Sequence, residues 1–307
     1  MWKILSGAFL GWSLGANDSA NIFGTAVATG TIPYRTAIWL TAIFVMAGAL
    51  LEGPKCMQAL TELSQLIPLD AFICALAAGL TMAGLTVLGM PASSSHAIVG
   101  AILGVALFRG SADFSGLTKI VICWVLTPIS GLVFGYILLR LLSRLFNYLG
   151  LGLATRNRIY FLGVVFAGCY GAYSLGANNV ANVTGVYVGA GLLEPFGASL
   201  VGGVAIASGV LTFGHRVMMT VGKGIAPLDP FTAFVTVLAG AMTLHLFTQV
   251  GIPVSSSQAV VGAVVGVGFV GGVRTVNRKT LARIGMAWVA TPVSAGLISL
   301  LLVVLFA

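Results

Sequence analysis

Runs of apolar residues long enough to cross a bilayer dominate this chain and leave few folds open to it. TAIWLTAIFVMAGALL at 36–51 is one, and comparable runs stand at 71–90 and 284–307. A transmembrane helix needs about 20 mostly apolar residues, and the sequence offers roughly ten such stretches. Charged residues make up 7% of the 307 and the mean hydropathy is +1.06, whereas a soluble domain carries about a quarter charged residues. The expected class is an all-α polytopic protein of the lipid bilayer. A lone signal peptide does not account for a pattern that recurs to the last residue. The net charge of +8 reads as loop cations that orient helices, not as a nucleic-acid surface.

Cys56, Cys74, Cys123 and Cys169 are scattered without a C-x-x-C pair, and His96, His215 and His245 show no zinc-ligand spacing. Cysteine in apolar stretches behaves as a small hydrophobe. No redox, metal or other cofactor is expected.

The chain repeats itself. SLGANDSANIFG at 13–24 returns as SLGANNVANVTG at 174–185, an offset of 161 from Gly15 to Gly176. GMPASSSHAIVGAILG at 89–104 returns as GIPVSSSQAVVGAVVG at 251–266, an offset of 162, and WVLTPISG at 124–131 returns as WVATPVSAG at 288–296, an offset of 164. Three motifs in one order at nearly constant spacing mark a duplication. The expected organisation is a first transmembrane repeat over 1–142, a short cytoplasmic linker over 143–158 and a second repeat over 159–307.

Each half reads as five spans: 4–30, 36–60, 69–88, 91–108 and 117–142, then 159–190, 196–213, 228–250, 253–272 and 281–306. An odd number makes the second repeat enter from the opposite side. With the N-terminus outside, 11 of the 15 lysines and arginines fall in inner loops and only Lys3, Lys55, Arg109 and Lys119 fall outside. The positive-inside rule thus favours inverted repeats with both termini outside the cell membrane. Transporters of this plan place their site at the repeat interface, near the bilayer midplane.

The polar motifs are the candidate site. Gly, Asn and Pro in both copies predict interrupted helices, which lipid tolerates only where the backbone is buried in protein or lines a cavity. Breaks at Asn17-Asp18 and at the matching place in the second copy expose carbonyl oxygens. With the side chains of Asn17, Asp18 and Asn21, these make an oxygen cage suited to a hard cation. An intramembrane carboxylate such as Asp18 is functional by default. The serines of PASSSHA and PVSSSQA, at Ser93–Ser95 and Ser255–Ser257, stand at helix starts, where free amides, the helix dipole and hydroxyls form an anion site. One serine suffices for capping; three, twice, do not read as capping alone. Nearly all lysines and arginines lie in loops or at segment ends, so a bound anion must be balanced by bound cations and helix dipoles. That pattern predicts cation-coupled symport.

These residues resemble the inorganic phosphate transporter (PiT) family. Its duplicated G-A-N-D-x-A-N-x-x-G-T-A-V signature matches GANDSANIFGTAV at 15–27, and P-x-S-S-S-H and GHRVMMTVGKGI at 214–225 also fit. The resemblance covers essentially the whole chain. It implies two inverted repeats with discontinuous helices and a secondary symporter. Many members move phosphate with sodium; some bacterial ones use protons or carry metal–phosphate complexes, and some carry sulfate. Carried over by position, the cation and anion sites fall on Asp18, Asn21, Thr25, Asn178, Asn182 and the two serine clusters, with Thr184 on the anion side. Asn179 stands where the family's second motif has aspartate, keeping an oxygen and losing a charge. The family's glutamate after an Ile-Phe pair is absent, since Ile43-Phe44 precedes Val45, and Glu52 comes two turns later.

The function expected is phosphate import with sodium as coupling ion, with proton-coupled sulfate transport as the alternative. A channel would more often be cyclic. An enzyme would need a base and a carboxylate beside Ser95-His96, which the second copy lacks. Abundant Gly and Ala would allow a homodimer to pack.

Overall fold

The computed structural model describes residues 2–28, 30–63, 66–88, 92–112, 114–221, 229–271 and 278–306; the side chains of 28, 215–221, 271 and 278–280 are outside that description. Most of the 214–225 motif lies outside the described side chains. The described chain is helical: α1 (Leu5–Asp18), α2 (Ala20–Ala28), α3 (Tyr34–Glu52), a 3-10 turn (Gly53–Cys56) running into α4 (Met57–Thr61), α5 (Pro68–Val87), α6 (Ser94–Arg109), α7 (Phe114–Tyr148), α8 (Leu153–Gly189), α9 (Pro195–Val221), α10 (Pro230–Val250), α11 (Ser256–Gly271) and α12 (Arg278–Phe306).

Among the described residues seven helical segments are long and apolar enough to cross a membrane. The ten expected spans are not ten crossing helices. α6 and α11 have 16 residues each, about 24 Å at 1.5 Å per residue, short of a hydrocarbon core of about 30 Å. Both begin inside the protein at buried serines, because proline and three hydroxyls precede the first apolar turn and the backbone at Ser93 is extended. The first span is interrupted as its motif implies, α1 ending at Asp18 and α2 resuming at Ala20. The second copy is not: 174–185 lies within α8, a single 37-residue helix, and the expected break there is absent. Asn178, Asn179 and Asn182 all belong to that continuous helix, and no proline interrupts it. The linker expected over 143–158 is also mostly helix. Its non-helical part is residues 149–152, where Gly150 takes a φ of 57°; no Gly or Pro stands between Tyr136 and Leu149 to stop α7 earlier.

Contacts between helices come in matched pairs. α1 packs on α9 as α8 does on α3; α1 on α5 as α8 on α10; α6 on α12 as α11 on α7; and α5 on α12 as α10 on α7. Glycine sets the closest of these approaches, as expected where helices pack without a hydrophobic drive. A methyl on Gly15 would strike the Ile206 carbonyl, and one on Gly209 the Trp12 carbonyl. At an offset of 161, Gly176 meets the Val45 carbonyl and Gly48 the Tyr173 carbonyl. Gly100 against Pro292 and Gly262 against Pro128 repeat the device for the short helices. The motif glycines Gly15 and Gly176 therefore serve helix packing.

Pro292 adds a local requirement. Lacking an N–H, it leaves the Trp288 carbonyl without its helical partner, and the His96 Nδ1–H donates to that oxygen at 2.9 Å. His96 thereby ties the first half to the second.

Valine at Gly15 or Gly176 should destabilise the fold by about 1–3 kcal/mol through overpacking, read as a lowered Tm in detergent. Alanine at Gly197, whose Cβ would meet nothing within 4 Å, should leave the Tm unchanged.

Candidate functional site

Each serine motif begins with a residue that caps and continues with two that need not. Ser93 Oγ accepts from the His96 N–H at 3.3 Å and Ser255 Oγ from the Gln258 N–H at 3.3 Å, both ordinary N-caps. Ser94, Ser95, Ser256 and Ser257 are left facing the centre of the protein, each at most 3% exposed.

The extended residues before these helices need partners, since irregular backbone at membrane depth cannot turn to water. The first asparagine of each repeated motif supplies them. Asn17 Oδ1 accepts from the Ala92 N–H at 3.3 Å, and its amide donates to Thr86 Oγ1 at 2.8 Å. In the second half Asn178 Oδ1 accepts from the Val254 N–H at 2.8 Å, and its amide donates to Thr248 Oγ1 at 3.1 Å and to the Ile252 carbonyl at 3.2 Å. Asn17 and Asn178 thus clamp the serine turn of their own half. Thr86 and Thr248 were not among the residues singled out from the sequence, although both stand three residues before the glycine that opens the serine motif, at the same offset of 162.

The last asparagine of each motif reaches the other half. Asn21 Nδ2 donates to Ser256 Oγ at 3.2 Å. Asn182 Nδ2 donates to Ser95 Oγ at 3.1 Å, to Ser94 Oγ at 3.3 Å and to Asn179 Oδ1 at 2.8 Å. Ser257 Oγ pairs with Ser255 Oγ at 2.9 Å and reaches the Ala92 carbonyl at 3.5 Å. Both serine clusters and both asparagine motifs therefore meet at one buried centre.

At that centre polar groups are left without partners. Oδ1 of Asn182 and Nδ2 of Asn179 are buried and make no hydrogen bond, and the buried Asp18 carboxylate has no cationic partner among the described residues. Ser256 accepts from Asn21 through its oxygen and has its O–H free to donate to the Asp18 carboxylate beside it, which leaves the negative charge itself without a counter-ion. An uncompensated buried carboxylate is costly, so the arrangement is complete only with a cation or proton on Asp18. Beside Asn21 and Ser256 lies a void of about 10 Å³, walled otherwise by apolar residues of α2, α8, α10 and α11, with room for about one water-sized species. One expected residue, Thr184, lies apart from the centre. The Thr184 hydroxyl donates to the Val180 and Ala198 carbonyls, at 3.2 and 2.9 Å, and faces α9. Thr25 is half-buried on α2.

Chemically, the centre offers hydroxyl and helix-start amide donors beside acceptor oxygens of one carboxylate and several amides. The donors are of the kind an anion calls for and the acceptors of the kind a hard cation calls for.

Comparison with known proteins bears on what is held. The family model described as "Phosphate transporter family" matches residues 14–299. The chain is 31% identical to the sulfate permease CysP of Bacillus subtilis, covering 99% of this chain and 87% of that protein. It is 24% identical to the chloroplastic inorganic phosphate transporter 2-1 of Arabidopsis thaliana, over 96% of this chain and 70% of that one. A solved structure titled "The sodium-dependent phosphate transporter" superposes with a TM-score of 0.84 at 25% identity, covering 97% of this chain and 96% of the other.

Alanine at Asn17 or Asn178 should lower stability by about 1–3 kcal/mol, because each strands a buried backbone N–H. Alanine at Ser13, whose hydroxyl is unpaired, should stay within about 0.5 kcal/mol of the parent. Thermal unfolding in detergent distinguishes the two classes.

Proposed function

Because the chain belongs to the phosphate transporter family, we propose that it carries inorganic phosphate across the cell membrane by symport with sodium. The observation that carries this reading is the Asp18 carboxylate, fully buried with no cationic partner among the described residues and beside the Ser256 hydroxyl of the other half. Sodium at Asp18, Asn21 and the neighbouring amide oxygens would neutralise that charge and so remove its repulsion of the anion. Ser94, Ser95, Ser256 and Ser257 would donate to phosphate from opposite sides, aided by the α6 and α11 helix starts. Asn179, in place of a second carboxylate, leaves any further cation on neutral oxygens and lowers the charge the site can balance. Asn17 and Asn178 hold the turns on which the serines ride.

The two halves, 1–142 and 159–307, are read as inverted repeats with both termini outside, on the charge distribution of the loops and the paired helix contacts. Alternating access would then move one half's helices against the other's around a fixed centre.

Phosphate is favoured over sulfate by a specific feature. Phosphate keeps an O–H at neutral pH and gains from an acceptor, and Asn182 Oδ1 is an unused acceptor beside Ser94 and Ser95. Sulfate needs donors only. The Bacillus subtilis sulfate permease, at 31% identity, supports sulfate as the second reading. Competition by each anion against labelled phosphate decides between them.

In proteoliposomes, uptake of labelled phosphate should require an inward sodium gradient; uptake indifferent to sodium at fixed pH would refute the coupling. Asp18→Asn should reduce sodium-dependent uptake at least about 100-fold, the loss of one buried ionic contact of about 3 kcal/mol, without loss of folded protein. Ser94→Ala with Ser256→Ala should raise KM more than either change alone.

A further inference from the structure

Glu52, the sequence's nearest candidate for the missing family glutamate, does not reach the serine centre. It closes α3 and gathers partners from several elements. Its Oε1 accepts from Lys55 Nζ at 3.1 Å; its Oε2 accepts from Gln249 Nε2 at 3.1 Å and faces His245 Nε2 at 3.1 Å. Lys55 Nζ also donates to Gln249 Oε1 at 2.9 Å. His245 Nδ1 pairs with the Tyr170 hydroxyl at 2.7 Å. Glu52 and Lys55 belong to the first half, whereas Tyr170 on α8 and His245 and Gln249 on α10 belong to the second. The cluster is therefore a hydrogen-bonded bridge between halves.

Its position gives the bridge a use. Lys55 and Gln249 line a depression of about 440 Å³ open to solvent, together with Gln58, Glu62, Lys119 and Gly251–Ile252. Two residues beyond Ile252 is Val254, whose N–H is held by Asn178, and the serines behind it are buried. Next to Lys55, Cys56 is fully buried, its sulfur 3.7 Å from the Asn178 amide. The bridge thus stands between solvent and the clamp of the second serine turn.

The duplication supplies a comparison within the molecule. At the offsets fixed by the packing glycines and by Thr86 and Thr248, Tyr170, Tyr173 and Glu52 correspond to Phe9, Trp12 and Phe213. His245 and Gln249 correspond to Ala83 and Val87. Those aromatic residues pack together, Phe9 on Trp12 at 6.3 Å and Trp12 on Phe213 at 5.6 Å between ring centres. Lys55 corresponds to Arg216, whose side chain lies outside the described residues. The two halves together place a carboxylate and an imidazole at this mouth, where the corresponding residues at the repeat-related place are aromatic and apolar.

We propose that Glu52, Lys55, His245 and Gln249 form a gate over one mouth of the central site, closed in this structure by hydrogen bonds between the halves, and that proton concentration on that side sets how firmly it closes. The proposal rests on the transport reading for its purpose, though not for its geometry. The groups around His245 are Glu52 and Lys55 from the first half and Tyr170 and Tyr173 from α8, with Glu62 and Lys119 on the depression's rim. Among these side-chain types imidazole is the one that serves proteins as a proton-responsive switch. A neutral His245 donates Nε2–H to Glu52 and accepts from Tyr170. A protonated one donates to both, and its bond to the carboxylate becomes an ion pair. The gate is therefore held more tightly with His245 protonated than with it neutral.

The test reads opening without any transported solute. The full chain in nanodiscs is treated with a membrane-impermeant maleimide, and Cys56 modification is followed by peptide mass mapping, each variant being compared with the parent at the same pH. Glu52→Gln should speed Cys56 modification about threefold to tenfold at pH 7.5, the range spanned by exposed and charge-assisted contacts. For His245→Gln, the ratio to the parent rate should grow as pH falls from 8 to 6, because only the parent gains the imidazolium–carboxylate bond. If Glu52→Gln lowers the folded yield, His245→Gln carries the test alone. Parent-like modification rates across that pH range, in protein that still takes up phosphate, would overturn the gate and leave the transport reading intact. Accelerated modification in protein that takes up neither phosphate nor sulfate would keep the gate and remove the cargo assignment.

Discussion

Everything at the centre of this protein depends on how a few residues of non-helical backbone are kept inside a membrane. The residues before α6 and α11 are extended and buried, so their N–H groups cannot turn to water or lipid. Asn17 takes the Ala92 N–H and Asn178 the Val254 N–H, each anchored in turn on a threonine one helix away. Without those bonds the short helices would have no fixed starting point, and the serine hydroxyls would have no fixed direction. A side-chain amide suits the task because it accepts and donates at once, and asparagine bridges two closely packed elements without adding charge.

The clamps act only because the helices around them are brought close enough. The Gly15–Ile206 and Gly209–Trp12 contacts, and their counterparts Gly176–Val45 and Gly48–Tyr173, let backbone lie on backbone, so short polar side chains can span the gap. Packing by small residues thus comes before polar chemistry. A chain this apolar gains little from burying further apolar surface in lipid, and its specificity lies in shape and in paired polar groups.

Much of this was legible in the sequence, for physical reasons that also mark where legibility ended. The duplication, the apolar runs and the asparagine and serine motifs are one-dimensional features, and all of them reappear as paired elements meeting at one centre. The motifs did not reveal that Asn17 and Asn178 hold turns, because a carboxamide has the same letters whether it binds an ion or a backbone. Nor did they reveal that α8 runs unbroken through GANNVAN while α1 stops at Asp18. The two motifs differ at that point by Asp18 and Ser19 against Asn179 and Val180, too little to foresee a break in one and not the other. Thr86 and Thr248 could have been found: extending the serine repeat three residues toward the N-terminus brings both in at the same offset.

The departures from symmetry carry the most function per residue. A duplicated protein whose halves stayed identical would present the same face to both sides and the same ligands to both ions. Here the carboxylate of Asp18, without a cationic partner among the described residues, faces a second half whose corresponding residue, Asn179, is a neutral amide, so charge at the centre is one-sided. At the periphery, Glu52 and His245 stand opposite Phe213 and Ala83 in the repeat, so the hydrogen-bonded mouth and its aromatic counterpart respond to different things. Aromatic contacts are indifferent to protons and to salt, whereas an imidazole–carboxylate pair is sensitive to both. The common scaffold supplies a shared centre, and the few unmatched positions give the two sides of the membrane different conditions for reaching it.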